Sequence, residues 1–197
     1  MYTLDHLAIS ATDLTAGVAD VVQRFGVPFQ PGGQHGAMGT HNQLLALGDL
    51  YLEVIAIDPD GTPPTWPRWF DLDRFAGPPR VTNWILRCPD MTAGLADLPE
   101  GTGVPMALER GDLRWQMAVP ETGILPLDGV APALITWQGA AHPAPRLANQ
   151  GVRLKRLDVS HPDISLLPAL DDPRVVYSQG APGLSAVFDT PNGEVTL

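Results

Sequence analysis

At 197 residues with a formal net charge of −10, the chain is long enough for one large domain or two small ones sharing a core, and too acidic to suit a nucleic-acid partner. No apolar run approaches the ~20 residues of a membrane span, so no membrane partner is expected. The single cysteine, Cys88, excludes an internal disulfide framework and reads as a small buried hydrophobe. The opening residues show no basic region followed by an apolar stretch, which predicts no signal peptide and, by default, a cytoplasmic location.

The first predicted strand is "LDHLAIS" (4–10), whose period of two puts Leu4, His6 and Ala8 on one face and Asp5, Leu7 and Ile9 on the other. Asp13 stands at a helix N-cap, and Leu14, Val18, Val21, Val22 and Phe25 follow at helical spacing until Gly26 ends the run. Short strands are predicted at "VPFQP", "NQLLALG" and "LYLEVIAI". Between the first two lies "GGQHGAMGTHN" (32–42), with Gly32, Gly33, Gly36, Gly39 and the histidines His35 and His41. It is no phosphate cradle, because Thr40 stands where a P-loop needs lysine, and no nucleotide cofactor is expected. The glycines instead suit a backbone that turns and lies close to a ligand, so the segment reads as a pocket wall.

Residues 59–80, dense in proline, carry Trp66, Trp69, Phe70 and Phe75. They are too aromatic for a floppy linker and read as an ordered crossover, with Trp69 and Phe70 offering a lid to an apolar ligand. The chain then repeats itself: "LDHLAISATDLTAGVAD" (4–20) aligns without gaps on "VTNWILRCPDMTAGLAD" (81–97). Asp90 takes the cap position, and "VPMALE", "LRWQMAV" and "PALITWQ" follow as strands. A weaker third copy, "LKRLDVSHPDISLLPAL" (154–170), puts Asp163 at the cap, before "RVVYSQ", "LSAVFD" and "EVTL". His142 and His161 each precede a proline and read as structural. The organisation is a first βαβββ module over 1–58, the crossover over 59–80, a second module over 81–139 and a third, weaker unit over 150–197 packed on the same domain. The fold class is α+β, with repeated modules in a curved mixed sheet, a concave pocket inside and helices outside.

The βαβββ repeat, the opening "LDHLAI", and "GGQHGAMGTHNQLLAL" before "YLEVIAID" resemble the vicinal oxygen chelate superfamily, in particular its glyoxalase-like domain branch. In that superfamily, metal ligands come from the first and last strands of each module. The resemblance therefore implies His6 and Glu53 as ligands. Strand period supports the placement, since Tyr51, Glu53 and Ile55 share a face and a buried carboxylate needs a partner. The second module departs from the pattern: Asn83 aligns on His6 and Thr136 is the match to Glu53, while the third copy offers Arg156. A metal then needs a third ligand, for which His41, at the start of the strand beside that of Glu53, is best placed and His35 second.

The resemblance implies a lyase or isomerase in which a divalent ion (Zn, Ni, Mn or Fe) on His6, Glu53 and His41 stabilises an enediolate-type intermediate. Glu53 is the catalytic residue, acting as base if burial raises its pKa. His35, His41, Asn83, Trp69, Phe70 and Thr136 are the expected substrate-binding residues. Two alternatives stand beside this one: a metal-free small-molecule binding protein, favoured by Asn83 and Thr136, and an Fe(II) ring-cleaving dioxygenase, which requires His41 to point inward. The partner is a small-molecule ligand, and a homodimer is open because modules of this fold pair within or between chains.

Overall fold

The structure, a computed structural model, describes all of residues 1–197. The first module runs β1 (Thr3–Ser10), α1 (Leu14–Phe25), β2 (Gln30–His35), β3 (Thr40–Ala46) and β4 (Tyr51–Ile57). After the crossover come β5 (Arg80–Arg87), α2 (Met91–Ala96), β6 (Val104–Arg110), β7 (Leu113–Val119) and β8 (Ala133–Trp137). The last part of the chain is β9 (Arg153–His161), β10 (Val175–Gln179), β11 (Gly183–Thr190) and β12 (Gly193–Thr196).

Both helices start as their sequences predict. The Asp13 carboxylate accepts from the Ala16 backbone N–H at 2.7 Å, and Asp90 from that of Ala93 at 2.9 Å. Gly26, at φ 76°, turns the chain out of α1 and donates its N–H to the Val22 carbonyl. α2 is half as long as α1 although both contain the same hexad pattern. Pro99 follows closely, and a proline disfavours helical geometry in the residue before it. Asp163 also caps, accepting from Ser165 N–H at 3.0 Å, but only a 3-10 turn over Ile164–Leu166 follows. Pro168 again stops the helix that the repeat predicts there.

β1 to β8 form one mixed sheet in the order β2-β3-β4-β1-β5-β8-β7-β6. The order is a palindrome of the two modules. In the antiparallel β1–β5 ladder His6 lies opposite Ile85 and Ala8 opposite Asn83, so the repeat's own offset carries one pair onto the other. Asn83 is thus the pseudo-twofold mate of His6, as the internal alignment predicts. The first expected strand after α1 lies later than "VPFQP". It begins at Gln30 and runs through Gly32 and Gly33, so the glycine-rich stretch is a hairpin of two strands with a short turn at 36–39 and not a loop.

The sheet curls into a half-barrel. Leu7, Ile9, Val54 and Trp84 of its outer face pack on α1 and on a separate four-stranded sheet, order β10-β9-β11-β12. In that sheet β10 pairs directly and in parallel with β9, and the crossover between them holds only the 3-10 turn. Leu154, Leu157 and Phe188 join the same core, and the rings of Phe25 and Phe188 lie 5.0 Å apart. Each of these fully buried rings stabilises by about 2 kcal/mol. Ala8, Ile55, Ile85 and Met117 of the concave face pack on Trp69, Phe70 and Leu72 of the crossover. No helix is long and apolar enough to cross a membrane.

Candidate functional site

Strict alternation fails in β1 at one residue. The ladder to β5 steps from Leu4 opposite Leu86 to His6 opposite Ile85, so Asp5 is an extra residue, a β-bulge. Leu4 therefore faces the outer core with Leu7 and Ile9, not with His6, and Asp5 turns to the side of His6. The bulge puts two adjacent polar residues where their side chains bond: His6 Nδ1 lies 2.6 Å from Asp5 Oδ1. The other Asp5 oxygen accepts from Trp137 Nε1 at 3.1 Å and from His142 Nε2 at 3.0 Å. His142, read from sequence as structural, thus helps to hold the one fully buried aspartate.

Alternation holds in β4. Tyr51 and Glu53 face the concave side with Ile55, and the Tyr51 ring stacks on the His6 imidazole at 4.3 Å. His6 Nε2 stands 3.5 Å from Glu53 Oε1, an ion pair longer than a good hydrogen bond. Asn42 of β3 donates to the other Glu53 oxygen at 2.6 Å. The chain continues through Arg110, whose Nη1 donates to Asn42 Oδ1 at 3.1 Å and to His35 Nε2 at 3.3 Å. His35 donates from Nδ1 to Thr40 Oγ1 at 3.0 Å. Arg110 ends β6, on the far edge of the sheet, and reaches β2 and β3 because the sheet is curled. It has room because position 33 is glycine: a Cβ there would lie 2.7 Å from Arg110 Cδ. A Cβ at Gly32 would lie 2.1 Å from Asn42 Oδ1. The glycines of this hairpin thus make space for the polar chain.

These residues wall a cavity of about 30 Å³, together with Trp69, Phe70, Trp115 and Trp137. The crossover is pinned over it by Trp66 Nε1 to the Pro120 carbonyl, 3.1 Å, and by the Asp71 N–H to the Gly123 carbonyl, 2.9 Å. Phe70 and Asp71 adopt φ of 60° and 53°, a left-handed pair that turns both Trp69 and Phe70 inward.

Of the residues singled out from sequence, His6, Glu53, His35, Trp69 and Phe70 meet at this cavity. Three do not. His41 is one residue from both Thr40 and Asn42, so it lies on the opposite face of β3, 4.0 Å from Asp58, and corrects the expectation of an inward third ligand. Thr136 faces outward against Cys88 Sγ at 3.3 Å. The register shows why: Ala8 lies beside Glu53 in module one, and its counterpart Ile85 beside Ala133 in module two, so Ala133 is the mate of Glu53. Asn83 is buried on the concave face but borders a second cavity of about 480 Å³ at the other end of the half-barrel. Arg156 pairs with Asp158 on the separate sheet. Sequence reasoning passed over Asp5, Asn42, Tyr51 and Arg110. Asn42 carries a readable signal, since its parity in β3 matches Leu44 opposite Glu53. Arg110, at a hairpin end, carries none.

The electrostatics follow from burial against pairing. Burial alone lowers the His6 pKa, but the hydrogen bond to Asp5 and the Glu53 carboxylate outweigh it and raise it to about 9. His6 is therefore an imidazolium near neutrality. Burial raises Asp5 and Glu53, yet bonding to His142 and His6 for the first, and to His6 for the second, leaves both below the usual carboxylate range. Glu53 is thus a carboxylate, contrary to the expectation that burial lifts it. Burial pushes His35 down to about 4; the Arg110 guanidinium adds to this while Glu53 opposes it, so His35 is neutral.

The donors do not compose a shell for a divalent ion. Only His6 Nε2, which must first lose its proton, and Glu53 Oε1 converge on the cavity. The Asn42 oxygen is taken by Arg110 and by the Gly33 N–H at 3.1 Å, and His35 Nε2 accepts from Arg110. No group of three His, Cys, Asp or Glu side chains is arranged to hold a metal, and a guanidinium stands in the same wall.

A concave pocket in a curled sheet of paired βαβββ modules defines a vicinal oxygen chelate fold. The family described as "Glyoxalase-like domain" matches residues 4–170, and the chain belongs to it. No curated protein matches in sequence. Among solved structures, a hypothetical protein from Staphylococcus aureus is 14% identical, with 100% of this chain and 84% of that one covered at TM-score 0.54. Methylmalonyl-CoA epimerase from Mycobacterium tuberculosis is 17% identical, covering 70% and 88% at TM-score 0.45. A Streptomyces coelicolor methylmalonyl-CoA epimerase in complex with 2-nitronate-propionyl-CoA is 19% identical, covering 72% and 98% at TM-score 0.44.

Proposed function

We propose that the chain is a small-molecule isomerase or lyase that moves a carbon-bound proton without a metal, using Glu53 as base and the His6 imidazolium as acid. One observation carries the reading: a buried Asp5–His6–Glu53 ion chain, with both ends of its last link opening on an aromatic-walled cavity. Charged groups are costly to bury, and a cavity built only to sequester an apolar molecule has no use for three. In the proposed step Glu53 takes the proton from a carbon beside a carbonyl. The C–H electron pair forms the C=C bond, and the carbonyl electrons move to oxygen, which receives the Nε2 proton of His6. Return of a proton to carbon completes an isomerisation, and loss of a β-substituent completes an elimination. Asp5 keeps His6 charged and oriented, while Asn42 fixes the second Glu53 oxygen.

The divalent-metal and Fe(II) readings need a third inward donor, but His41 lies on the other face of β3 and both ring nitrogens of the inward His35 are engaged, by Arg110 and Thr40. The test is exchange of carbon-bound protons with deuterated solvent, followed by ¹H NMR over a panel of hydroxyketones and 2-hydroxy and 2-oxo acids. Exchange is expected with chelator present, falling about 10²–10⁴-fold in Glu53→Gln and declining as pH rises through about 9, where His6 loses its proton. Exchange that vanishes with chelator and returns with a divalent ion overturns the reading. Tight binding without exchange in any compound would instead identify a binding protein.

A further inference from the structure

We infer that the molecule this cavity takes carries a carboxylate next to its reacting carbon, received by the Arg110 guanidinium and the Trp69 indole N–H. The inference rests on the proton-transfer reading only for the phrase "reacting carbon"; the recognition of an anion stands on its own observations.

The first observation is the state of Arg110. The chain has 12 basic side chains. Nine of them (Lys155 and eight arginines, Arg24 and Arg174 among them) lie within 4.0 Å of a carboxylate. Of the three that do not, Arg80 covers the Phe75 ring and bonds backbone carbonyls, and Arg153 bonds Asn149 and its neighbour's carbonyl. Arg110 alone lines the cavity that holds His6 and Glu53. Its bonds to Asn42 and His35 go to neutral acceptors and both use Nη1, which aims the fork and leaves Nε and Nη2 without a partner. In a protein with 22 acidic residues, an arginine held by neutral acceptors and paired with no carboxylate is set to receive an anion from outside.

The second observation is independent. Trp69 Nε1 is buried and has no hydrogen-bond partner, although Trp66, Trp84 and Trp137 each donate to an oxygen. The Trp69 ring lines the same cavity and meets the His35 ring edge-on at 5.1 Å. An orphaned buried donor destabilises the fold unless something accepts from it. A carboxylate accepts from both groups at once, with one oxygen on the fork and one on the indole. Trp69, Trp115 and Trp137 wall the same cavity, whose small volume of about 30 Å³ favours a planar carboxylate over a bulkier tetrahedral phosphate. The anion would also sit near Glu53, and a neighbouring negative charge makes a carboxylate a stronger base. Substrate binding thereby sharpens the base that the free protein holds too acidic.

The test compares matched pairs: a short 2-hydroxy or 2-oxo acid, its primary amide, and inorganic phosphate. Binding to the wild-type protein is followed by calorimetry and by the Trp69 indole N–H signal in ¹H–¹⁵N spectra. The acid is expected to bind at least about tenfold tighter than the amide, a difference of one charge-assisted pair, and to shift the Trp69 signal. Arg110→Gln should erase the preference, and Arg110→Lys, which keeps charge without the fork, should keep part of it. Equal binding of acid and amide, an unmoved Trp69 signal, no binding of any acid, or a preference that survives Arg110→Gln overturns the inference. Tighter binding of phosphate than of the acids overturns the choice of carboxylate. Acid binding without solvent exchange would sink the proton-transfer reading and leave this one standing, and exchange in neutral hydroxyketones with no acid preference would do the reverse.

Discussion

Replacing Glu53 with glutamine should lower the His6 pKa, and the structure sets how far. The Glu53 carboxylate oxygen is 3.5 Å from His6 Nε2. Unit charges at that distance attract by about 5 kcal/mol in an effective dielectric of ~20, which bounds the effect from above. His6 stands at about 9 against an ordinary 6.5, a net gain of about 3 kcal/mol after burial has been overcome. Asp5, at 2.6 Å, supplies the larger part and is untouched by the change. The variant should therefore bring His6 down by about 1–2 pH units. The introduced amide also keeps its oxygen on Asn42 and turns an N–H toward Nε2, which favours a neutral imidazole. The sign in stability follows: a raised histidine stabilises fully below its unfolded pKa and loses that contribution as pH rises through its folded value. In wild type the loss falls between about 6.5 and 9, and in the variant it ends earlier. Titration of the His6 ring carbon signals by ¹H–¹³C NMR measures this directly. A His6 pKa in the variant within about 0.3 of wild type would refute the coupling, since a partner worth so little cannot be in the same site.

Two further outcomes are expected. His35, neutral in the folded protein with a pKa near 4, must gain charge to unfold into acid, so stability should fall as pH drops from 6.5 to 4. The ceiling is about 3 kcal/mol; urea midpoints across that range should show it, and His35→Gln should flatten the decline. Gly33→Ala places a methyl 2.7 Å from Arg110 Cδ. It should displace the guanidinium at a cost of about 1–3 kcal/mol in stability and weaken acid binding far more than amide binding, read by thermal melts and calorimetry.

Much of the fold is readable from the chain because it depends on neighbours in sequence. The gap-free repeat, the Asp13 and Asp90 caps, the stop at Gly26 and the inward parity of Glu53 in β4 are all set within a few residues. The meeting of His6 with Glu53 is implied by the family resemblance, and in the structure the module's own first and last strands pair in parallel. Tertiary structure decided what depends on a partner strand. Whether Asp5 lies on the side of His6 depends on how β1 registers on β5, and a single extra residue reverses the answer. The choice of His35 over His41 depends on the β2–β3 register, where a slip of one residue exchanges the two faces. Ala133 rather than Thr136 mirrors Glu53 for the same reason. Arg110 is invisible in the sequence: it lies 68 residues from Asn42 and meets it only because the sheet curls until its two edges approach. Curvature is the sum of the twist of every strand pair, so no local stretch of sequence records it.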